Sequence, residues 1–310
     1  MLIREAYGEA LAALGEENPN VVVLDCDVSS STLSNAFAQA HPSRFFNFGI
    51  AEGNMTAAAA GMALCGKIPF INTFAFLLSL RAADAIRSLI AYGGLNVKLM
   101  GAYGGLSDSF DGASHQSVED MAIMRAIPGI AVVAVCDEQQ TRSAVRAAAQ
   151  YPGPVYIRLS RAAMPDVYAP GAPFAIGRGT VLREGADVTL VAYGLMVSHC
   201  LQAAEELARE GISAEVIDMA TIKPLDDELL LQSARKTRAV VTAEEHSIVG
   251  GLGSAVAETL SAEYPVPLET IGIQDRFGES GPYPELLEAL GLGVDDILRA
   301  AKRALARKMK

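Results

Sequence analysis

IAVVAVCDEQQTRSAVRAAAQYPGPVYIRLS, residues 130–160, carries the pattern on which the fold turns. Two short β-branched runs, IAVVAV (130–135) and VYIRLS (155–160), flank an Ala-rich helical stretch over 137–150. Both runs are apolar almost throughout, so each strand is expected to be covered on both faces, as parallel strands joined by helices are. The rhythm extends upstream. Strands are expected at VVVLDC (21–26), IPFINT (68–73) and VKLMGAY (97–103), with helices over 31–40, 53–66, 79–92 and 115–127. A stretch rich in Pro and Gly over 161–179 breaks the pattern and reads as a connection between domains. Strands then resume at DVTLVAY (187–193), AEVIDM (214–219), RAVVTAEE (238–245) and VPLETIGI (266–273), with helices near 196–210, 226–236, 250–263 and 293–308. The expected fold is α/β with two doubly wound sheets, one domain over 1–163, a linker over 164–184 and a second domain over 185–310. Chemistry in such sheets sits beyond the carboxyl ends of the strands.

Composition narrows the function classes. The 310 residues are 51% hydrophobic and 20% charged, enough apolar material for two cores. A formal net charge of −11 argues against a nucleic-acid surface. Cys26, Cys65, Cys136 and Cys200 fit no zinc or redox spacing. They read as small buried residues in a reducing compartment, which favours the cytoplasm. The first residues carry acids within a helical pattern and do not read as a leader. The most apolar region, 53–80, is interrupted by Lys67 and Pro69, so no membrane span is expected.

Within FNFGIAEGNM (46–55), Glu52 precedes fourteen residues without formal charge, GNMTAAAAGMALCG. A glutamate in a first helical turn interacts favourably with the helix dipole. This helix, however, is Ala, Gly and Met all round and is expected to be buried. A charge there needs a partner from elsewhere in space or from a ligand. In DGASHQSVED (111–120), Asp111 and His115 stand four residues apart after a flexible GGLSDSF loop, a setting suited to a cleft. His115 serves equally well as a satisfied core or surface histidine. GGLGS (250–254) reads as a tight helix start, not a nucleotide cradle. Glu244, Glu245 and His246 are adjacent on a strand, so they cannot all face one ion and read as structural.

FNFGIAEGNM, INTF (71–74) with RAADAIR (81–87), DGASHQSVEDMAIMRAIPGI (111–130) and RLSR (158–161) follow in the order and spacing of transketolases. They resemble the pyrimidine-binding domain of those thiamine diphosphate enzymes. VTLVAYG (188–194), VIDMATIKPLD (216–226) and TAEEHSIVGGLGSAVAE (242–258) resemble the family's carboxy-terminal domain. The resemblance implies that Glu52 is the catalytic glutamate, a protonated carboxyl donating to the cofactor's aminopyrimidine. Phe74 matches the aromatic that packs on that ring. His115 and Asp111 match residues that face the substrate hydroxyls, and Arg161 an arginine that holds a sugar's terminal phosphate. Ser31 matches a further phosphate contact, and its SSST run serves equally as a helix N-cap. Tyr103 stands where transketolases usually place a phosphate-contacting histidine. Leu77, Ala83, Ala85 and Phe110 also depart from the family pattern, all on the substrate side.

A fused transketolase is roughly twice this length and binds the diphosphate through magnesium at a GDG motif. No GDG occurs in this sequence. The resemblance therefore implies a split enzyme whose amino-terminal partner subunit holds Mg2+. The expected assembly is an α2β2 heterotetramer, with this chain a self-dimer in isolation. The implied activity is transfer of a two-carbon ketol unit from a ketose to an aldehyde. Rivals are a β subunit of a 2-oxoacid dehydrogenase, a 1-deoxyxylulose-phosphate synthase-like protein and a non-catalytic stabilising subunit.

Overall fold

Val21, Val22, Val23 and Leu24 of strand β1 (Val21–Asp25) are all buried, and the pleat sorts them between two cores. Val22 and Leu24 join Met55 and Ile71 on one face, while Val21 and Val23 join Tyr7, Leu11 and Phe70 on the other. The computed structural model, which describes residues 2–308, extends this arrangement to two sheets. Parallel to β1 run β2 (Phe45–Asn47), β3 (Ile68–Phe74), β4 (Lys98–Ala102), β5 (Ala131–Ala134) and β6 (Val155–Leu159). Helices Ile3–Glu17 and Glu138–Gln150 cover one face, and Glu52–Leu64 and Ala75–Arg81 the other.

The second sheet comprises β7 (Thr180–Arg183), β8 (Val188–Ala192), β9 (Ala214–Asp218), β11 (Val240–Ser247) and β12 (Leu268–Ile273), in the order β12-β11-β8-β9-β7. The strand between β9 and β11 in sequence, β10 (Thr221–Lys223), leaves this sheet. It pairs antiparallel with β5, giving the first sheet the order β10-β5-β6-β4-β3-β1-β2. One apolar cluster runs through both halves, joining Leu99, Val132 and Tyr156 to Ile217, Met219, Val240 and Leu252. Each aliphatic side chain among them contributes about 1.5–3 kcal/mol on burial, so this cluster welds the two sheets firmly.

The expected strands form, but β7 and β10 do not follow from the sequence pattern. Strands of three or four residues at a sheet edge carry no readable period, and β7 lies in the stretch expected to be linker. Leu33, with φ +59°, splits the expected 31–40 helix into Ser29–Thr32 and Asn35–Ala40. The expected 115–127 helix starts at Asp120, leaving His115 behind a single turn, Gly112–Ser114. Helix Glu52–Leu64 is not buried all round. Met55, Thr56, Ala59 and Ala60 face the core, while Gly53, Ala57, Gly61 and Leu64 are exposed. Cys65 is exposed too, unlike the other three cysteines. Among the described residues no helix is long and apolar enough to cross a membrane.

Candidate functional site

Five of the seven candidate residues gather just past the carboxyl ends of adjacent parallel strands. Ser31 follows β1, Phe74 ends β3, Tyr103 follows β4, and Arg161 lies two residues past β6. Glu52 follows β2 across a turn built by Asn47, whose side-chain oxygen accepts from the N–H groups of Asp27 (3.1 Å) and Gly49 (2.9 Å). Gly49, at φ +67°, reverses the chain so that the helix opens on Glu52.

Glu52 is 4% exposed, and its Oε1 is buried without a hydrogen-bond partner. The nearest cation is Arg81, whose Nη1 lies 3.7 Å from that oxygen on a largely exposed side chain. This is beyond hydrogen-bond range. Beside it, burial pushes the Cys26 thiol up to about 12, so that sulfur is inert as a nucleophile.

An aromatic stack lies alongside. The Phe74 ring stacks on Tyr103 (centroids 4.8 Å, interplanar 25°) and runs nearly parallel to Phe76 at 6.5 Å. His115 meets Phe74 and Phe76 edge-on, at 6.1 and 5.6 Å. Its Nδ1 is 3.0 Å from the Ser114 hydroxyl. Asp111 is exposed and makes no side-chain bond or ring contact here among the described residues.

Tyr103 links this stack to two arginines. Its backbone is held at φ +60°, a left-handed conformation unfavourable for a bulky side chain and typical of functional sites. The Arg161 guanidinium lies 5.2 Å from its ring centroid, while Arg4 Nη1 donates to its hydroxyl at 3.0 Å. Arg4 also donates to the Ser31 carbonyl at 3.3 Å. Ser31 is the third residue of its short helix, whose N-cap is Val28, so it caps nothing. Arg161 forms an ion pair with Asp108, whose carboxyl burial pushes up against the opposing pull of that guanidinium. Arg4, Phe76 and Asp108 were not singled out from the sequence. Arg4 sits in the first helix, far from Tyr103 in sequence, and Asp108 in a loop without a motif.

The acids of β11 hold structure together. Glu244 accepts from the Leu252 and Gly253 N–H groups, both at 2.8 Å, at the start of helix Leu252–Glu263. Gly251 lets that carboxylate approach, since a Cβ there would lie 2.1 Å from Glu244 Oε2. Glu245 instead accepts from the Leu106 N–H at 2.6 Å and the Tyr283 hydroxyl at 2.9 Å. No group of three or more metal-ligating side chains converges among the described residues.

An orphaned carboxyl, an aromatic stack and two arginines that each contact Tyr103 meet beyond the strand ends of this doubly wound α/β chain and mark that edge as its candidate site. The comparisons give the family. Residues 1–166 match the pyrimidine-binding domain of transketolase, and residues 177–297 match the transketolase C-terminal domain. The chain belongs to the transketolase family. It is 44% identical over 306 residues to the 6-deoxy-6-sulfo-D-fructose transketolase subunit of Clostridium sp. (strain MSTE9), covering 99% of this chain and 95% of that one. It is 38% identical over 299 residues to an apulose-4-phosphate transketolase subunit of Phocaeicola vulgatus, covering 96% of each. Among solved structures it resembles a split gene transketolase described as an inactive beta4 tetramer, with a TM-score of 0.92, 52% identity and 99% coverage of both chains. The residues present fit the pyrimidine half of thiamine diphosphate, because the orphaned Glu52 oxygen lacks the partner that a ring nitrogen supplies.

Proposed function

We propose that this chain is the carboxy-terminal subunit of a split transketolase, transferring a two-carbon ketol unit from a ketose to an aldehyde. The observation that carries it is Glu52, a buried carboxyl with an unpartnered oxygen at the first turn of a half-exposed helix. A buried polar atom left unpaired calls for an explanation, and here, at the strand ends beside an aromatic stack, a bound ligand supplies one. Thiamine diphosphate supplies the carbanion chemistry. Glu52 holds the proton shared with the pyrimidine nitrogen, and Phe74 offers an aromatic face to that ring. His115 and Asp111 hydrogen-bond the sugar hydroxyls, orienting the reacting carbonyl. Arg161 and Arg4, with Tyr103 and Ser31 between them, form the seat for an anionic terminus. Relatives named for a sulfosugar and a sugar phosphate support an anionic substrate.

The diphosphate and its magnesium belong to a separate amino-terminal subunit in this reading. Support comes from the exposed apolar surface around the Glu52 helix, including Ile50 (76% exposed), Leu64 (74%) and Tyr92 (92%). Obligate interfaces are apolar in this way, and an α2β2 assembly would cover that surface. The buried free thiols suit a cytoplasmic protein.

The test is ketol transfer by this chain with and without a co-expressed amino-terminal subunit, with thiamine diphosphate, magnesium, an anionic ketose and an aldose. Activity confined to the mixture is expected. A stable complex that binds cofactor but transfers nothing from any ketose would overturn the reading.

A further inference from the structure

Residues 104–118 carry Asp108, Asp111 and His115 and belong by sequence to the first half, yet the second half fastens them. Glu245 uses both carboxylate oxygens for this: Oε1 accepts the Leu106 N–H at 2.6 Å, and Oε2 accepts the Tyr283 hydroxyl at 2.9 Å. Further along, Gln116 Nε2 donates to the Glu279 carbonyl at 2.8 Å. The Gly281 N–H reaches the Ser109 carbonyl at 3.1 Å, and the Ser247 N–H the Val118 carbonyl at 2.8 Å. Leu106 and Val118 are packed into the second half's core with Ile273 and Leu287.

Glycines make this contact possible on both sides. A Cβ on Gly105 would lie 2.5 Å from Glu245 Oε1, one on Gly112 would lie 2.2 Å from Ser280 Oγ, and one on Gly278 would lie 1.8 Å from Gln116 Oε1. The first two also have positive φ, so the loop's course and its docking need the same residues. Neither Glu52 nor Phe74 takes part in these contacts.

We infer that the second half positions the sugar substrate by clamping the 104–118 loop, which makes Tyr283 and Gln116 positioning residues for Asp111 and His115. This rests on the function proposed above. The second sheet is thereby part of the substrate machinery, acting through Glu245 and the 278–281 backbone. Loosening the clamp degrades sugar binding and leaves the cofactor's ring contacts intact.

Two variants test it: Tyr283→Phe, which removes one donor to Glu245, and Gly278→Ala, which fills the space occupied by the Gln116 side chain. In the intact chain, hydrogen exchange at the Leu106 amide and its loop neighbours should quicken about tenfold, the effect of losing one hydrogen bond to a charged acceptor. Helix Glu52–Leu64 should exchange as in the wild type, which also verifies folding. In the two-subunit complex the KM for an anionic ketose should rise about fivefold or more. The cofactor concentration giving half-maximal activity should not move. Unchanged loop exchange in both variants would overturn the clamp, and faster exchange with an unchanged sugar KM would overturn the positioning role. A wild-type complex that transfers nothing, while loop exchange still responds to the variants, would instead remove the proposed function and the substrate role resting on it.

Discussion

Replacing Glu52 by glutamine should separate stability from turnover. The substitution keeps shape and replaces the carboxyl by an amide on a side chain that is 4% exposed, with Oε1 buried and unpartnered. Leaving such an oxygen without a hydrogen bond costs about 1–3 kcal/mol. Two attractions offset it. Arg81, 57% exposed and 3.7 Å away, contributes below about 1 kcal/mol after solvent screening. The helix N-terminus contributes about 0.3–1 kcal/mol. A neutral amide keeps much of that penalty and gives up both attractions, so the terms nearly cancel and the net change should stay within about 1 kcal/mol. An unfolding entropy of about 2.1 cal/mol/K per residue gives about 0.65 kcal/mol/K over 310 residues, hence a Tm change of no more than about 1.5 °C. In the two-subunit complex, turnover should fall by at least about a hundredfold, the usual worth of a positioned proton donor. Calorimetry on the chain and a ketol-transfer assay on the complex read the two effects. A Tm that falls by several degrees with turnover retained would make Glu52 an ordinary helix-start carboxylate and refute the proposed role.

Three further outcomes follow from the geometry. Tyr103→His should change the ranking of ketose donors by their terminal group more than it changes cofactor affinity, because Tyr103 touches Arg4 and Arg161; an unchanged ranking across phosphorylated, sulfonated and neutral donors would count against the anion seat. Burial pushes the Asp218 carboxyl up from 3.8 to about 6, despite donors from Tyr168 and Gln140, so its contribution to the fold is full at low pH and is lost as pH rises through about 6. Asp218→Asn should therefore gain stability over the wild type between pH 4 and 7, by at most about 3 kcal/mol, and a Tm difference that stays flat across that range would exclude Asp218 as the cause. Glu244→Ala should destabilise by about 3 kcal/mol, since two helix N–H groups lose a charged acceptor, and an unaltered Tm would mean that the Gly250–Gly251 turn holds the helix unaided.

Sequence legibility followed the range of the forces involved. β1 and β8 are buried at every position, and such runs are visible as nearly continuous apolar stretches, broken only by Asp25 and Thr189. Ser31, Phe74, Tyr103 and Arg161 stand close together because parallel strands deliver their carboxyl ends to one edge, and knowing the strands locates that edge. The proton-holding role proposed for Glu52 rests on the resemblance. The residues alone established only that a carboxyl there needs a partner. Arg4 escaped notice because its partner Tyr103 is 99 residues away, and no local period reports such a contact. The half-exposed face of helix Glu52–Leu64 was hidden for another reason: Ala and Gly all round give no sidedness to read. Edge strand β10 is too short for any pattern, and its pairing with β5 is a purely tertiary choice.

That pairing also says where this polypeptide can and cannot be cut. A break near residue 170 would leave β10 on the downstream fragment and strip the first sheet of its outermost strand. The upstream fragment would carry β5, four buried apolar residues, as a raw edge ready to recruit another chain. The family tolerates division between subunits, but the seam between these two sheets is stitched by a strand from one side sewn into the other. Gene fusions, truncations or domain exchanges designed on this scaffold should carry Thr221–Lys223 along with the first sheet, whatever else they leave behind.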